Sequence, residues 1–191
     1  MTLCTLLRRP SAGFTLIELI TVIVLIGVLS AIGVSRFFDN TVFQSRAYAD
    51  QIKSTIRYAQ KLAIAQNRVV FVRSQPGGFA VCYNNACSAF ASLASAPGSS
   101  NSGSTATLAF CRLGLDYIST WMCEGTPNGV VVTSNTVRNE FGNAGSFSFD
   151  AMGRPFNQNG SPLTQMRLTF ASGANSFAIV IEPETGYVYE P

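Results

Sequence analysis

Between Phe14 and Ser35 the chain runs for 22 residues with one charge, Glu18. Few features constrain a fold more. At about 1.5 Å per residue a helix of that length reaches about 33 Å, enough to cross the hydrocarbon core of a bilayer. A helix on the surface of a soluble core carries one apolar stripe, whereas this segment is apolar on every side. Arg8 and Arg9 precede it and hold that end in the cytoplasm, so the rest of the chain faces outward. The expectation is a single-pass inner-membrane anchor with its amino terminus in the cytoplasm and its head in the periplasm. A secretory signal is cut after its apolar region, at a small residue. Here the small residue, Gly13, comes before that region, so a protease at the cytoplasmic face would remove only residues 1–13 and leave Phe14 as the new amino terminus.

A carboxylate about one turn inside an apolar helix costs a few kcal/mol in lipid, so Glu18 reads as a functional residue. It needs a cation. Cleavage before Phe14 creates an amino group at the end of the same helix, and in a staggered bundle that group can reach the Glu18 of a neighbouring chain. Buried charges repay their desolvation only in good geometry, which makes such a pair selective for register.

The run Gly13-Phe-Thr-Leu-Ile-Glu18, followed by an apolar helix containing Gly27, resembles the class III signal and stem of type IV pilins and type II secretion pseudopilins. The resemblance implies cleavage by a prepilin peptidase, methylation of the Phe14 amine, and a role for Glu18 in subunit register. It also implies partners: other major and minor pilins and an inner-membrane assembly platform. One position departs from the pattern, since Ser35 stands where many major pilins have a kinking proline. In the last third, Phe147-Ser-Phe-Asp150-Ala-Met-Gly153-Arg154-Pro155 and the strands ending Glu182-Pro-Glu-Thr-Gly186-Tyr-Val resemble heads of the pseudopilin H and FimT/FimU branch. Phe37-Phe38-Asp39 with two cysteine pairs is most similar to minor pilins of mannose-sensitive haemagglutinin (MSHA) pili.

Beyond the anchor, Phe38, Val42, Ser45, Ala49, Ile52, Ile56, Ala59 and Ala63 recur in steps of three or four and predict a helix to about Asn67. Arg46, Lys53, Arg57 and Lys61 fall on another face, and residues 36–68 carry a net +4, read as a solvated helix face. The period then changes to two. Val69–Ser74 and Phe79–Tyr83 flank Gln75-Pro-Gly-Gly78 and predict a hairpin. Further strands are expected at 108–112, 130–133, 146–150, 165–170, 177–182 and 187–189. The fold class is therefore α+β: a long amino-terminal helix packed on a mostly antiparallel head, in the manner of a type IV pilin. Residues 1–13 form the leader, 14–35 the membrane and filament half of the helix, 36–67 the half packed on the head, and 68–191 the head. Within the head, Ser88–Thr107 is rich in Ser, Ala and Gly and reads as a flexible loop.

Cys4 leaves with the leader, and Cys82, Cys87, Cys111 and Cys123 remain, an even number suited to an oxidising compartment. Three pairings are open. Local pairing of Cys82 with Cys87 and of Cys111 with Cys123 is preferred, because each closes a short loop beside a strand. With no histidine in the chain, the Ser-His-Asp triad, the Cys-His pair and imidazole-ligated zinc are excluded. No phosphate-binding loop precedes a helix, and the acids are scattered, so neither catalysis nor a cofactor is expected. Arg154, between Gly153 and Pro155, reads as a loop-fixing residue, and Trp121 as packing beside Cys123. A minor pilin that initiates, caps or enters a pilus is the leading expectation. A type II secretion pseudopilin shares stem and head. A DNA-binding minor pilin is disfavoured, since residues 107–191 hold four arginines against seven acids, the wrong sign for a phosphate funnel.

Overall fold

The computed structural model describes residues 14–37, 40–75, 77–134 and 145–191, with backbone alone for 31–37, 40 and 41. The leader with Gly13, the Phe38-Asp39 pair, Pro76, and the segment bearing Arg138, Glu140 and Gly142 lie outside the described residues. The chain divides into two compact units, Met1–Asn40 and Thr41–Pro191.

The first unit is built on helix α1, Leu16–Phe37. Thr15 starts it: its carbonyl accepts from the Leu19 amide at 3.2 Å, and its hydroxyl accepts from the Glu18 amide at 3.4 Å. That is the geometry of an N-cap. Glu18 then lies in the first turn, where a negative charge opposes the helix dipole. The backbone stays helical through Ser35, as a chain without proline there allows.

Helix α2, Asn40–Gln66, supplies one wall of the head. Of the predicted stripe, Ser45, Ala49, Ile52, Ile56, Ala59 and Ala63 are buried and Val42 is half-buried, while Phe38 lies outside the described residues. Tyr48 and Thr55 join them. Strands β1 (Val70–Gln75) and β2 (Gly78–Cys82) form the expected hairpin, with Gln75 opposite Gly78. The remaining strands are β3 (Arg112–Leu113), β4 (Asp116–Tyr117), β5 (Cys123–Gly125), β6 (Val131–Ser134), β7 (Ser146–Phe149), β8 (Pro155–Phe156), β9 (Met166–Ser172), β10 (Asn175–Ile181) and β11 (Val188–Tyr189). They make a five-stranded sheet ordered β5-β2-β1-β7-β8, a four-stranded sheet ordered β11-β10-β9-β6, and the small β3-β4 hairpin. Every strand pairing among the described residues is antiparallel.

The α2 stripe and the inner faces of both larger sheets share one core, to which Val70, Val72, Phe147, Phe149, Leu168, Phe170, Ile179 and Ile181 belong. Each such side chain contributes about 1.5–3 kcal/mol by leaving water. A second, smaller core of Ala80, Cys82, Cys87, Leu93, Cys111, Trp121 and Cys123 holds the cysteines. Strand β2 serves both. Its odd residues Phe79 and Val81 enter the large core and its even residues Ala80 and Cys82 the small one, so all five of its residues are buried.

Two expectations need correction. Residues 108–112 were expected as a strand, but Thr105–Phe110 form helix α3, capped by Ser104, whose hydroxyl accepts from the Thr107 amide at 3.2 Å. The apolar run Leu108-Ala109-Phe110 is too short for its period to choose between helix and strand. Ser88–Thr107 was expected as a flexible loop, yet it is anchored along its length. Leu93 and Ser95 make isolated β-bridges to Cys82 and Trp121, and Ala94 and Ala96 are buried. The buried Glu124 carboxylate accepts from the Ser102 amide at 2.9 Å and the Thr107 hydroxyl at 2.7 Å. Small residues here permit close packing on β2; they do not signal freedom.

Candidate functional site

The surface of α1 is the first candidate. Phe14 and every large aliphatic residue from Leu16 to Leu29 are exposed, none by less than 44%. Gly27 has nothing within 4 Å of where a Cβ would stand, so packing within this chain does not require its small size. Close approach by another helix is the usual use of a bare glycine in an apolar helix. Glu18 is exposed on this surface and forms no ion pair among the described residues. Its carboxylate is an acceptor one turn below Phe14, where a cleaved chain would carry its amine. Among the described residues no helix is long and apolar enough to cross a membrane. The described side chains of α1 end at Ser30, fifteen residues from Leu16, or about 22 Å of rise.

The basic face of α2 is the second candidate, and the head neutralises much of it. Arg46 pairs with Asp50 at 3.4 Å and with Glu190 at 2.6 Å. Lys53 pairs with Asp50 at 2.8 Å and with Glu190. The Lys53 hydrogen bond, with smaller contributions from Glu190 and Arg46, holds the Asp50 carboxyl below its ordinary range. Arg57 donates to the Val188 carbonyl at 3.0 Å and lies over the Tyr187 ring. A face read as solvated is therefore tied to β11 and the carboxyl-terminal residues. Glu190 carried no sequence signal for this role, since its partners lie over 130 residues away.

Two turns of the head are fixed from within. Asp150 Oδ1 accepts from the Met152 and Arg154 amides at 2.9 and 2.8 Å, and Arg154 closes an ion pair on Oδ2 at 2.8 Å. Burial, the largest influence on Asp150, raises its pKa; the hydrogen bonds from Arg154 and Met152 together outweigh it and hold the carboxyl low. Gln60 of α2 donates to the Gly153 carbonyl at 2.9 Å and to the Thr185 carbonyl at 2.7 Å, clamping both turns to the helix. Gly186 completes the contact: at φ +64° a Cβ there would stand 2.6 Å from the Gly153 carbonyl oxygen. Gln60 gave no signal in the sequence, because glutamine on a helix face is ordinary.

The cysteines are joined as Cys82–Cys87 and Cys111–Cys123, with Cα separations of 5.6 and 5.8 Å. Trp121 packs against them and donates its indole N–H to the Val81 carbonyl at 3.0 Å. No group of three or more His, Cys, Asp or Glu side chains among the described residues could hold a metal ion.

With this geometry in place, likeness to known proteins bears on α1 first. Residues 8–34 match the family model described as the prokaryotic N-terminal methylation motif. Over 54 residues the chain is 48% identical to the type IV narrow pilus major component PilA5 of Thermus thermophilus, a match covering 28% of this chain and 47% of that protein. The chain thus spans about half the length of the curated relative it matches. Among solved structures, the type IV minor pilin FimU of Pseudomonas aeruginosa superposes with a TM-score of 0.46 at 11% identity, covering 76% of this chain and 87% of that one. The minor pseudopilin EpsH of the Vibrio cholerae type 2 secretion system gives 0.48 at 9% identity, covering 78% and 96%. At scores below 0.5 neither superposition carries weight, and the α+β fold stands on the elements described above. What the comparisons give this chain is the methylation motif at its amino-terminal segment.

Proposed function

We propose that this chain is a minor pilin, a structural subunit and not an enzyme, that initiates, caps or enters a type IV pilus of the MSHA kind. A prepilin peptidase cuts after Gly13 and the Phe14 amine is methylated. The helix waits in the inner membrane, with its head in the periplasm, until the assembly platform draws it into a bundle with other pilins. Phe14 and Glu18 of adjacent subunits then set the register. The observation that carries this reading is the methylation motif over residues 8–34 on a helix whose large aliphatic residues from Leu16 to Leu29 are all exposed. Exposed aliphatic residues on every side of α1 are a cost in water and a gain only among lipids or other helices.

The test is a count of surface pili by electron microscopy in a deletion strain beside the complemented parent. Loss of pili, restored by the gene, is the expected result. Unchanged pili with impaired protein secretion would move the assignment to a type II secretion pseudopilin. DNA binding is disfavoured by the same contacts that neutralise the basic face of α2.

A further inference from the structure

Arg46, Lys53 and Arg154 are neutralised by carboxylates, but Arg73 and Arg112 form no ion pair among the described residues. Arg73 donates to the Ala86 carbonyl and, with the Gln75 amide oxygen turned toward it, to Gln75 at 2.9 Å. Arg112 donates through Nε to the Leu108 carbonyl at 3.0 Å. All of these partners are neutral. The strand register explains why the two residues come to one cavity. Ala80 stands opposite Arg73 on one side and Cys123 on the other, and Cys123 is bonded to Cys111, the neighbour of Arg112. Arg73 and Arg112 consequently line one cavity of about 80 Å³, walled by Gln75, Ala80, Phe110 and Trp121.

The geometry points to a binding pocket for a short carboxylate, its charge held by Arg73 and Arg112 and its alkyl end set against Phe110 and Trp121. Guanidinium matches a planar carboxylate through paired N–H donors. The cavity is small, so the acid that fits it is short, of two or three carbons. Inorganic phosphate, hydrophilic on every side, gains nothing from the aromatic wall. The carboxylate is either a free small acid or an acidic side chain of a second copy of this chain.

Trp121 is the only tryptophan, so its fluorescence reports on the pocket. The full chain in detergent micelles is titrated with propionate, with phosphate and chloride at matched ionic strength as references. A saturable change specific to propionate is expected, with the apparent Kd raised about tenfold or more in Arg112→Gln and unchanged in Arg46→Gln. Arg112→Lys, which keeps the charge but loses the paired donors, should fall between and serves if Arg112→Gln fails to fold. No saturable response, an equal response to phosphate, or an unaltered response in both Arg112 variants would overturn the assignment. If concentrating the chain alone gives the same change together with self-association by analytical ultracentrifugation, and propionate abolishes that self-association, the acid belongs to a second copy; if only propionate acts, it is a free small molecule.

Discussion

Helices α1 and α2 are of similar length, 22 and 27 residues, yet they treat their apolar residues in opposite ways. On α2 most of the apolar residues keep to one stripe that the head covers, with Ile52 and Ile56 fully buried and Phe43 and Ile64 left outside it. On α1 they occupy all sides, and Leu16 through Leu29 remain exposed. A stripe is solved by one sheet within the same chain. An all-round apolar surface is satisfied by a medium or by several partners, and the proposed function supplies both, lipid before assembly and other helices after it. Glu18 sharpens the contrast, because α2 neutralises its charges with Asp50 and Glu190 while α1 offers Glu18 no partner among the described residues.

The contrast breaks most readily in the core. Ile56→Ala should cost about 2–5 kcal/mol of stability, through lost burial and the cavity left behind. Ile23→Ala on α1 should leave the denaturant midpoint of the head unchanged; an equal loss at both positions would erase the distinction. Next in size are the disulfides. Opening Cys111–Cys123, twelve residues apart, should cost about 3 kcal/mol, and opening Cys82–Cys87, five apart, about 2 kcal/mol, by loop-closure entropy. Thermal unfolding of Cys-to-Ser pairs checks that order. Gln60→Ala should cost about 1–2 kcal/mol by orphaning the Gly153 and Thr185 carbonyls, with amide exchange quickening in both turns together. The smallest effect is electrostatic. Because the folded pKa of Asp150 lies below its ordinary 3.8, its contribution is complete above that value and is lost as pH falls through the lower, folded one. The stability gap between wild type and Asp150→Asn should therefore be constant near neutrality and close in strong acid. A gap that widened on acidification would reverse the sign.

These two helices also mark what could be read from the sequence. The α2 stripe was legible because packing on a sheet imposes a 3.6-residue period, and Ser45, Ala49, Ile52, Ile56, Ala59 and Ala63 obey it. Strands β6, β7, β9 and β10 were legible from alternation, with ends shifted by one or two residues, whereas β8, only two residues long, was not. Helix α3 was not, since Ser104 and a three-residue apolar run say too little against a strand. The anchoring of Ser88–Thr107 was hidden for a different reason. It depends on Glu124 and on bridges to Cys82 and Trp121, partners that composition does not name. Glu190 and Gln60 were silent because their roles exist only once distant segments meet. At the candidate site, Glu18 announced itself by sitting in an apolar run where a charge is costly. The pocket between Arg73 and Arg112 needed both the strand register and a disulfide before it could be seen.

The central claim, that α1 completes itself in a filament through Glu18, is tested most directly by complementing the deletion strain with Glu18→Val and counting surface pili. The account predicts a chain still cut after Gly13, with Phe14 as its amino terminus by mass spectrometry, but few or no pili. Pili restored to the wild-type number by Glu18→Val would contradict it.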